Sequence, residues 1–248
     1  MPFCAAVHRF ESVVSTNDIA RSLAQDGAAH GTAVLAREQT SGRGTKGRTW
    51  HSPAGLGLYA SFILRGPLPA PHLLPLTVGL AASDAILEAA GVETRLKWPN
   101  DILFEGLKLG GILCEGSSLG TSGGFVVAGI GLNLGHAGAD FPEELQGRAT
   151  SLRLAAGRAV PVDPLWEALC RALERWYNVL ARGDKEAIVA AFGSRSAFSP
   201  GEAVRVETAG GAYEAAYEGL DAEGRLVVRR AGAGPVALDA VLKLDPAR

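Results

Sequence analysis

Residues 41–64 read SGRGTKGRTWHSPAGLGLYASFIL, and this stretch places the strongest constraint on the fold. Three glycines within residues 42–47 are spaced as G-x-G-x-x-G, the dinucleotide-binding fingerprint. The same residues nearly match the P-loop, with Arg48 in the position where that motif requires lysine. Cations at positions 43, 46 and 48 lie among these glycines. The stretch therefore indicates an anion-binding loop, and the residues that follow decide its type.

Both phosphate-loop motifs need a helix directly after the glycines, because the amides and dipole at the helix N-terminus hold the phosphates. Residues 50–57 instead contain Pro53, Gly55 and Gly57, which exclude a helix, and residues 58–64 are typical of a strand. The acidic residue that a dinucleotide site needs about 20 positions later is also missing. The sequence thus argues against both folds. A flexible surface loop with solvated cations is the remaining alternative.

Hydrophobic periodicity divides the rest of the chain into predicted helices and strands. The predicted helices cover residues 15–27, 71–90, 162–183 and 184–192. The predicted strands cover residues 32–39, 58–64, 94–98, 101–105, 107–116 and 125–135, with a turn at 118–124. From residue 202 onward, four short strands separated by glycine-containing turns are typical of a small β-barrel of SH3-like size. We therefore predict two domains, at residues 1–195 and 196–248.

Composition excludes several classes of function. The formal net charge is −2, so no global field steers the protein to nucleic acid or anionic lipid. Cys4, Cys114 and Cys170 are far apart, which argues against a zinc site and a disulfide framework and suits a reducing cytosol. The N-terminus lacks the pattern of a signal peptide. The most apolar stretch, residues 73–90, contains a proline and an aspartate, so we expect no membrane span and a cytoplasmic protein.

A second segment, KWPNDILFEGLKLGGIL at residues 97–113, adds candidate site residues. Lys108 lies in an alternating strand pattern and is followed closely by two glycines, which would allow a ligand to approach the backbone. A lysine that protects a sheet edge is the alternative interpretation. Asn100 and Asp101 follow a proline and could simply cap a turn.

Five motifs in order resemble the biotin–protein ligases, the enzymes that attach biotin to carboxylase carrier domains. They are STN at residues 15–17, EQTSGRGTKGRTW at 38–50, KWPND at 97–101, LKLGGILCE at 107–115 and GIGLNL at 129–134. The resemblance implies an α+β fold, in which a mixed, mainly antiparallel sheet with flanking helices forms a class II synthetase-like catalytic domain. The C-terminal strands resemble the family's small SH3-like β-barrel by pattern alone.

The resemblance also implies a two-step reaction. Biotin and ATP form biotinyl-5'-AMP and pyrophosphate, with Mg²⁺ bound to the nucleotide, and a lysine of a biotin carboxyl carrier protein then takes the biotin. Some members of the family carry an N-terminal DNA-binding domain, but this sequence resembles the short type, so we expect no DNA binding. A homodimer is a further expectation, formed through a sheet edge near residues 123–134.

Site residues follow from the matching positions. Lys108 and Arg43 are implied as the catalytic residues, and Asp101 as a ligand of Mg²⁺. The implied biotin contacts are Ser15, Thr16, Asn17, Gln39, Arg43, Gly44, Thr45, Lys108, Gly111 and Ile112. The implied ATP and adenylate contacts are Arg43, Lys46, Arg48, Trp50, Asn100, Lys108 and Asn133.

Alternatives remain open for several of these residues. Ser15 or Thr16 could be a plain helix cap, and Trp50 could be a core residue. Lipoate–protein ligases and octanoyl transferases are the nearest enzymatic alternative, and the transferases use a cysteine nucleophile, for which Cys114 is the candidate. A non-enzymatic regulator of transcription is a second alternative. The sequence departs from the best-known ligases at Thr45, where they carry arginine, and we expect this change to weaken retention of the adenylate.

Overall fold

Strand-forming segments pair into two sheets in the computed structural model, which describes residues 3–66, 68–117 and 123–247. The first sheet contains β1 Val7–Phe10, β2 Ala33–Ala36, β3 Gly57–Arg65, β4 Arg95–Lys97, β5 Asp101–Phe104, β6 Leu107–Ser117 and β7 Phe125–Asn133. Their order is β1-β2-β3-β7-β6-β5-β4. Only β1 and β2 are parallel among these neighbours, so the prediction of a mixed, mainly antiparallel sheet is confirmed.

The centre of this sheet is apolar on both faces. Side chains of β3 and β7 alternate between the faces, as the pleat requires. Ile63 and Val127 pack into one hydrophobic cluster, whereas Phe62 and Val126 pack into the other. Because both faces are covered, these strands read as nearly continuous apolar runs rather than as an alternation of apolar and polar residues.

Helices cover the two faces of the first sheet. The helices are α1 Thr16–Gln25, α2 Leu74–Ala90, α3 Leu152–Ala156, α4 Val162–Ala181 and α5 Lys185–Ser194. On one face, α1 buries Ala20 and Ala24 against β2, β3 and β7. On the other face, α2 packs against α4, α5 and β6. The predicted α+β class with flanking helices is therefore confirmed.

The α2 region accounts for the most apolar part of the sequence. With the turn before it, Pro71–Ala90 is long and apolar enough to cross a membrane by length and composition alone. In this fold 72% of its apolar window is buried within the protein. A helix that is apolar all round is what the core of a large domain requires, so burial explains its composition.

The second sheet is built by the C-terminal part of the chain. Its strands are β8 Ala203–Thr208, β9 Gly211–Leu220, β10 Leu226–Arg229, β11 Pro235–Leu238 and β12 Lys243–Pro246, in the antiparallel order β11-β10-β9-β8-β12. The sequence predicted four strands; the fourth divides into β11 and β12, because residues 239–242 leave β11 and the chain then pairs with β8. Within residues 203–247 the two end strands are not paired, so the sheet is open rather than a closed barrel.

The two sheets share one hydrophobic core. Leu76 and Leu96 from the first part of the chain belong to the same buried cluster as Val204 and Leu226 from the second. The indole nitrogen of Trp98 also donates a 3.0 Å hydrogen bond to the carbonyl of Gly224. The chain passes from α5 to β8 through residues 195–202, where we predict the domain boundary.

The sheet edge that we expected to form a homodimer is not an edge. Residues 125–133 form β7, which is hydrogen-bonded to β3 on one side and to β6 on the other. Both sets of backbone groups are thereby occupied, so β7 cannot pair with a second chain. The predicted turn at 118–124 lies outside the described residues, apart from 123 and 124.

The cysteines also differ from expectation. Cys4 and Cys170 form a disulfide with a Cα–Cα distance of 6.1 Å, and Cys114 is free. Their separation of 166 residues gives no local pattern from which a pairing could be predicted. The bond ties the segment before β1 to α4, so the prediction of no disulfide was wrong.

We expect reduction of this disulfide to lower the free energy of unfolding by about 2–4 kcal/mol, because cross-linking a long loop restricts the unfolded chain. Urea unfolding of the native protein and of Cys170→Ser, each with and without dithiothreitol, measures the difference. Cys114→Ser is the matched control and should remain sensitive to the reductant. Equal stability of native protein and Cys170→Ser without reductant would contradict the prediction.

Candidate active site

A cavity of about 490 Å³ opens between α1, residues 41–50, the strands β5 to β7 and the connection before β12. This volume suits a small-molecule ligand. It is lined by all the residues that the sequence analysis assigned to biotin, ATP or metal: Ser15, Thr16, Asn17, Gln39, Arg43, Gly44, Thr45, Lys46, Arg48, Trp50, Asn100, Asp101, Lys108, Gly111, Ile112 and Asn133. Segments that are distant in sequence therefore converge on one space.

Residues 41–50, here called the glycine loop, fold back on themselves. The amide of Trp50 donates to the carbonyl of Gly42 at 2.9 Å, and the amide of Gly44 donates to the carbonyl of Arg48 at 2.7 Å. No helix follows the loop; the chain leads directly into β3. The loop is therefore neither a P-loop nor a dinucleotide-binding turn, as its sequence context predicted.

Arg43 is held by two carboxylates from different elements. Its Nη2 lies 2.7 Å from Asp18 Oδ1 on α1 and 3.1 Å from Glu115 Oε2 on β6. Charge-assisted contacts of this kind are stronger than neutral hydrogen bonds. They hold the guanidinium at the wall of the cavity.

Lys46 and Arg48 are held by backbone carbonyls of the C-terminal part of the chain. The Lys46 ammonium donates to the carbonyls of Val241 and Leu242, the latter at 2.8 Å. Arg48 Nη2 donates to the carbonyl of Leu242 at 3.2 Å. Burial, together with the nearby Arg48 guanidinium, lowers the pKa of Lys46. Two cations are thus crowded together against neutral acceptors.

Lys108 reaches the cavity from β6. Its Nζ lies 2.5 Å from Asp101 Oδ1 and 5.5 Å from the centre of the Trp50 ring. Because β6 is paired with β5 and β7, Lys108 does not protect a sheet edge, and that alternative is wrong. Its ammonium faces the glycine loop, as the second segment of the sequence indicated.

Glycines make room for side chains on the floor of the cavity. A Cβ on Gly129 would lie within 2.3 Å of the amide oxygen of Asn17, and one on Gly131 would lie within 2.3 Å of the indole nitrogen of Trp50. Any larger residue at either position would displace these two side chains. The indole N–H of Trp50 is buried and has no hydrogen-bond partner within the described part of the chain.

Neutral polar side chains line the end of the cavity near α1. We call Ser15, Thr16, Asn17 and Gln39 the head subsite. The Gln39 amide oxygen lies 2.9 Å from the Thr16 backbone nitrogen and 3.1 Å from the Thr16 hydroxyl. Ser15 occupies the N-cap position of α1, but its side chain makes no capping hydrogen bond. The interpretation of its hydroxyl as a plain helix cap is therefore not supported.

The two asparagines of the nucleotide prediction bind backbone groups. Asn100 Nδ2 donates to the carbonyl of Ile112 at 2.9 Å, and Asn133 Nδ2 donates to the carbonyl of Thr150 at 3.0 Å. These bonds fix the walls that carry Asp101 and Lys108. Among the described residues, no group of three or more His, Cys, Asp or Glu side chains is placed to hold a metal ion.

Sequence reasoning missed several residues at this site. Lys243 lines the cavity and pairs with Asp245 at 2.5 Å. Asp245 also pairs at 3.0 Å with Lys97, the first residue of the second segment in the sequence analysis. Glu115 and the fully buried Ser61 support the head subsite from behind. Glu115 ends the LKLGGILCE motif, but neither the motif nor the strand alternation assigned a role to it, and no local signal pointed to Lys243.

Comparison with known proteins agrees with this geometry. A family described as the biotin/lipoate A/B protein ligase family matches residues 9–133, about half of the chain. The biotin–[acetyl-CoA-carboxylase] ligase of Paracoccus denitrificans is 37% identical over 222 residues, which cover 87% of this chain and 90% of that protein. The bifunctional ligase/repressor BirA of Bacillus subtilis is 37% identical over 216 residues, but this match spans only 66% of its length.

A solved structure extends the similarity to the whole fold. The biotin protein ligase from Aquifex aeolicus, in complex with biotin and ATP, superposes with a TM-score of 0.83 and 27% identity over 98% of this chain and 100% of that chain. From the matched residues and the extent of these alignments, the chain belongs to the biotin/lipoate A/B protein ligase family.

Proposed function

We propose that the protein is an ATP-dependent biotin–protein ligase. It joins the biotin carboxylate to the α-phosphorus of ATP, which releases pyrophosphate and gives biotinyl-5'-AMP. The lysine amine of a biotin carboxyl carrier protein then attacks this mixed anhydride and expels AMP. One observation carries the proposal: a single cavity combines a neutral, hydrogen-bonding end with a cluster of four cations.

The neutral end suits the fused ring system of biotin. A ureido group is uncharged and both donates and accepts hydrogen bonds, so it needs hydroxyl and amide partners rather than ions. Thr16, Asn17 and Gln39 supply such partners in the head subsite. The Aquifex aeolicus relative was solved with biotin and ATP together, which supports the same pair of substrates here.

The cationic end suits the reacting groups. A carboxylate and a polyphosphate repel each other, and fixed cations in a water-poor cavity offset this repulsion more strongly than they would in bulk water. Within the described residues, the hydrogen-bond partners of the Lys46 and Arg48 side chains are backbone carbonyls. Phosphate oxygens are stronger acceptors for cations, so ATP replaces these carbonyls when it binds.

Arg43 and Lys108 reach the cavity from different elements of the fold. Arg43 comes from the glycine loop and Lys108 from β6. We propose that both side chains contact the biotin carboxylate and that Lys108 also contacts the α-phosphate of ATP. The Asp101 carboxylate fixes the Lys108 ammonium, so the charge is in place before the substrates arrive.

We propose that Mg²⁺ enters with ATP. This ion is usually bound by one or two carboxylates together with substrate phosphates, rather than by a cage of protein ligands. Asp101 fits such a role, since one of its oxygens remains free of Lys108. Mg²⁺ supplies neutralisation of phosphate charge. The carrier-protein substrate and the division at residue 195 are further parts of the proposal. A cytoplasmic location is also proposed, from the substrates alone, since the Cys4–Cys170 disulfide is unusual in a reducing cytosol. The repressor activity of the Bacillus subtilis relative is not part of the proposal.

The function is tested by exchange of labelled pyrophosphate into ATP. We expect exchange that depends on biotin, because adenylate formation is reversible, and no exchange with lipoate or octanoate. A carrier domain should then accept biotin at a single lysine. Exchange driven by lipoate or octanoate, with none driven by biotin, would reject the proposal in favour of the lipoate branch of the family.

Removing the β6 cation should disable the first step. We expect Lys108→Ala to slow biotin-dependent exchange by at least about 100-fold, the usual cost of losing a group that stabilises transition-state charge. The thermal unfolding midpoint should stay close to the native value, because Lys108 is partly exposed. Lys185→Ala removes another paired lysine far from the cavity and is the matched control. Near-native exchange by Lys108→Ala would reject its role.

The free cysteine should be chemically inert. Cys114 is half-buried, and desolvation of its thiol together with the neighbouring Glu115 carboxylate raises its pKa to about 12, so the thiolate is scarce at neutral pH. We expect Cys114→Ala to retain exchange and transfer within about twofold, and iodoacetamide at pH 7.5 to leave the native activity unchanged. Rapid inactivation, with protection by substrate, would instead favour a cysteine-dependent acyl transferase.

A further inference from the structure

A line of hydrogen-bonded side chains runs behind the head subsite. Ser61 Oγ lies 2.8 Å from Thr16 Oγ1 and 2.6 Å from Asn17 Oδ1, and Asn17 Nδ2 lies 2.7 Å from Glu115 Oε2. We call Thr16, Ser61, Asn17 and Glu115 the relay. Thr16 and Asn17 line the cavity, whereas Ser61 and Glu115 do not.

The surroundings of Asn17 determine which way its amide points. Its nitrogen side faces Glu115 Oε2 at 2.7 Å and the carbonyl oxygen of Leu113 at 3.4 Å. A carbonyl and an ionised carboxylate only accept hydrogen bonds. The NH₂ group must therefore point to β6, and the amide oxygen must face Ser61.

This orientation dictates the direction of the next bond. An amide oxygen cannot donate, so the single hydroxyl hydrogen of Ser61 is committed to Asn17. Ser61 can then only accept from Thr16. Ser61 and Asn17 therefore both donate toward Glu115, the negatively charged end, and Thr16 does so when it donates to Ser61.

The side chains beside the cavity have fewer hydroxyl hydrogens than their oxygen–oxygen contacts require. Three oxygen–oxygen contacts join Gln39, Thr16, Ser61 and Asn17, at 3.1, 2.8 and 2.6 Å. Only Thr16 and Ser61 bring a hydroxyl hydrogen, so one contact has none. If Thr16 donates to Ser61, the Gln39 oxygen keeps only the bond from the Thr16 backbone amide; if Thr16 donates to Gln39, the Thr16 oxygen receives no hydrogen from Ser61. In either case an oxygen that lines the cavity can accept a further hydrogen bond. A ligand group that donates hydrogen bonds completes the arrangement.

Glu115 keeps its negative charge through three partners. Arg21 Nη2 lies 2.9 Å from its Oε1, and Arg43 Nη2 lies 3.1 Å from its Oε2. Burial raises the pKa of Glu115, but the hydrogen bond from Asn17 and the charges of Arg43 and Arg21 outweigh it and lower the pKa overall. The carboxylate is a permanent acceptor for Asn17.

We propose that Glu115 is a positioning residue that fixes the hydrogen-bond polarity of the head subsite through Asn17 and Ser61, and thereby selects substrates that bring N–H donors. The inference rests on the proposed function and deepens it. The ureido ring of biotin brings two N–H donors, whereas the dithiolane of lipoate and the alkyl chain of octanoate bring none. Glu115 thus excludes the other acyl substrates of this family without touching any of them.

The first test separates the relay from the Arg43 contact. Glu115 and Asp18 both hold Arg43, but only Glu115 reaches Asn17. We compare Glu115→Ala with Asp18→Ala, using calorimetry with biotin and with biotinol, in which an alcohol replaces the carboxylate. Biotinol lacks the group that Arg43 binds, so its affinity reports on the head subsite.

Glu115→Ala should weaken biotin and biotinol alike by about tenfold, the loss expected when a buried hydrogen-bond partner is removed. Asp18→Ala should leave biotinol affinity within about twofold of native. The KM for ATP should be unchanged in Glu115→Ala while the KM for biotin rises, a split that general loss of structure would not produce. Native biotinol affinity in Glu115→Ala, or equal losses in both variants, would overturn the proposal.

A second test exchanges the amide and the carboxylate. Asn17→Asp places two carboxylates face to face, and should weaken both ligands by at least about tenfold. The double variant Asn17→Asp/Glu115→Gln restores one donor and one acceptor between these positions and leaves Ser61 donating. It should recover affinity to within about threefold of native. A double variant no better than the single one would overturn the proposal even where Glu115→Ala fails to fold.

Failure of the proposed function gives a different result. Absence of both biotin and biotinol binding to the native protein would reject the ligase assignment itself. Normal native binding with no effect of the Glu115 and Asn17 variants would reject the polarity mechanism and leave the ligase assignment in place.

Discussion

The cavity depends on holding several positive charges close together before any substrate is bound. Arg43, Lys46, Arg48 and Lys108 surround one space, and like charges held this close together repel each other. The fold resolves this by giving each cation an oxygen acceptor from another element: carboxylates for Arg43 and Lys108, and backbone carbonyls for Lys46 and Arg48. In the proposed reaction, substrate anions replace these oxygen acceptors, so each cation exchanges one hydrogen-bond partner for another.

The acceptors for Lys46 and Arg48 connect the C-terminal part of the chain to the cavity. The carbonyls of Val241 and Leu242 lie in the connection between β11 and β12, about 200 positions beyond the glycine loop in the sequence. The same connection leads to Lys243, whose partner Asp245 also binds Lys97. Because backbone carbonyls bind cations less strongly than phosphates do, this contact is suited to release when ATP enters.

Local patterns in the sequence predicted most of the helices and strands, whereas the resemblance carried by five short motifs implied the residues that line the cavity. The residues behind the cavity lining, and the disulfide, were not predictable in this way. Glu115 and Ser61 act through neighbours on other strands, and the Cys4–Cys170 bond joins segments with no shared motif. The short strand β1 was missed because Val7–Phe10 contains two polar residues in four positions. In the same way, only strand order revealed that β7 is central.

One end of the cavity is lined by neutral polar groups and the other by cations, yet Glu115 contacts a residue at each end. The head subsite is short of hydrogen-bond donors, while the cationic end is rich in them. One carboxylate oxygen of Glu115 accepts from Asn17 and from Arg43, so the two ends are joined through a single atom. When a substrate carboxylate takes over Arg43, that oxygen becomes a better acceptor for Asn17, because it is then shared with one donor fewer. In the proposed ligase, binding of the reactive acid group would thus strengthen the hydrogen-bond polarity that recognises the distant ring, and would favour the whole biotin molecule over either part of it.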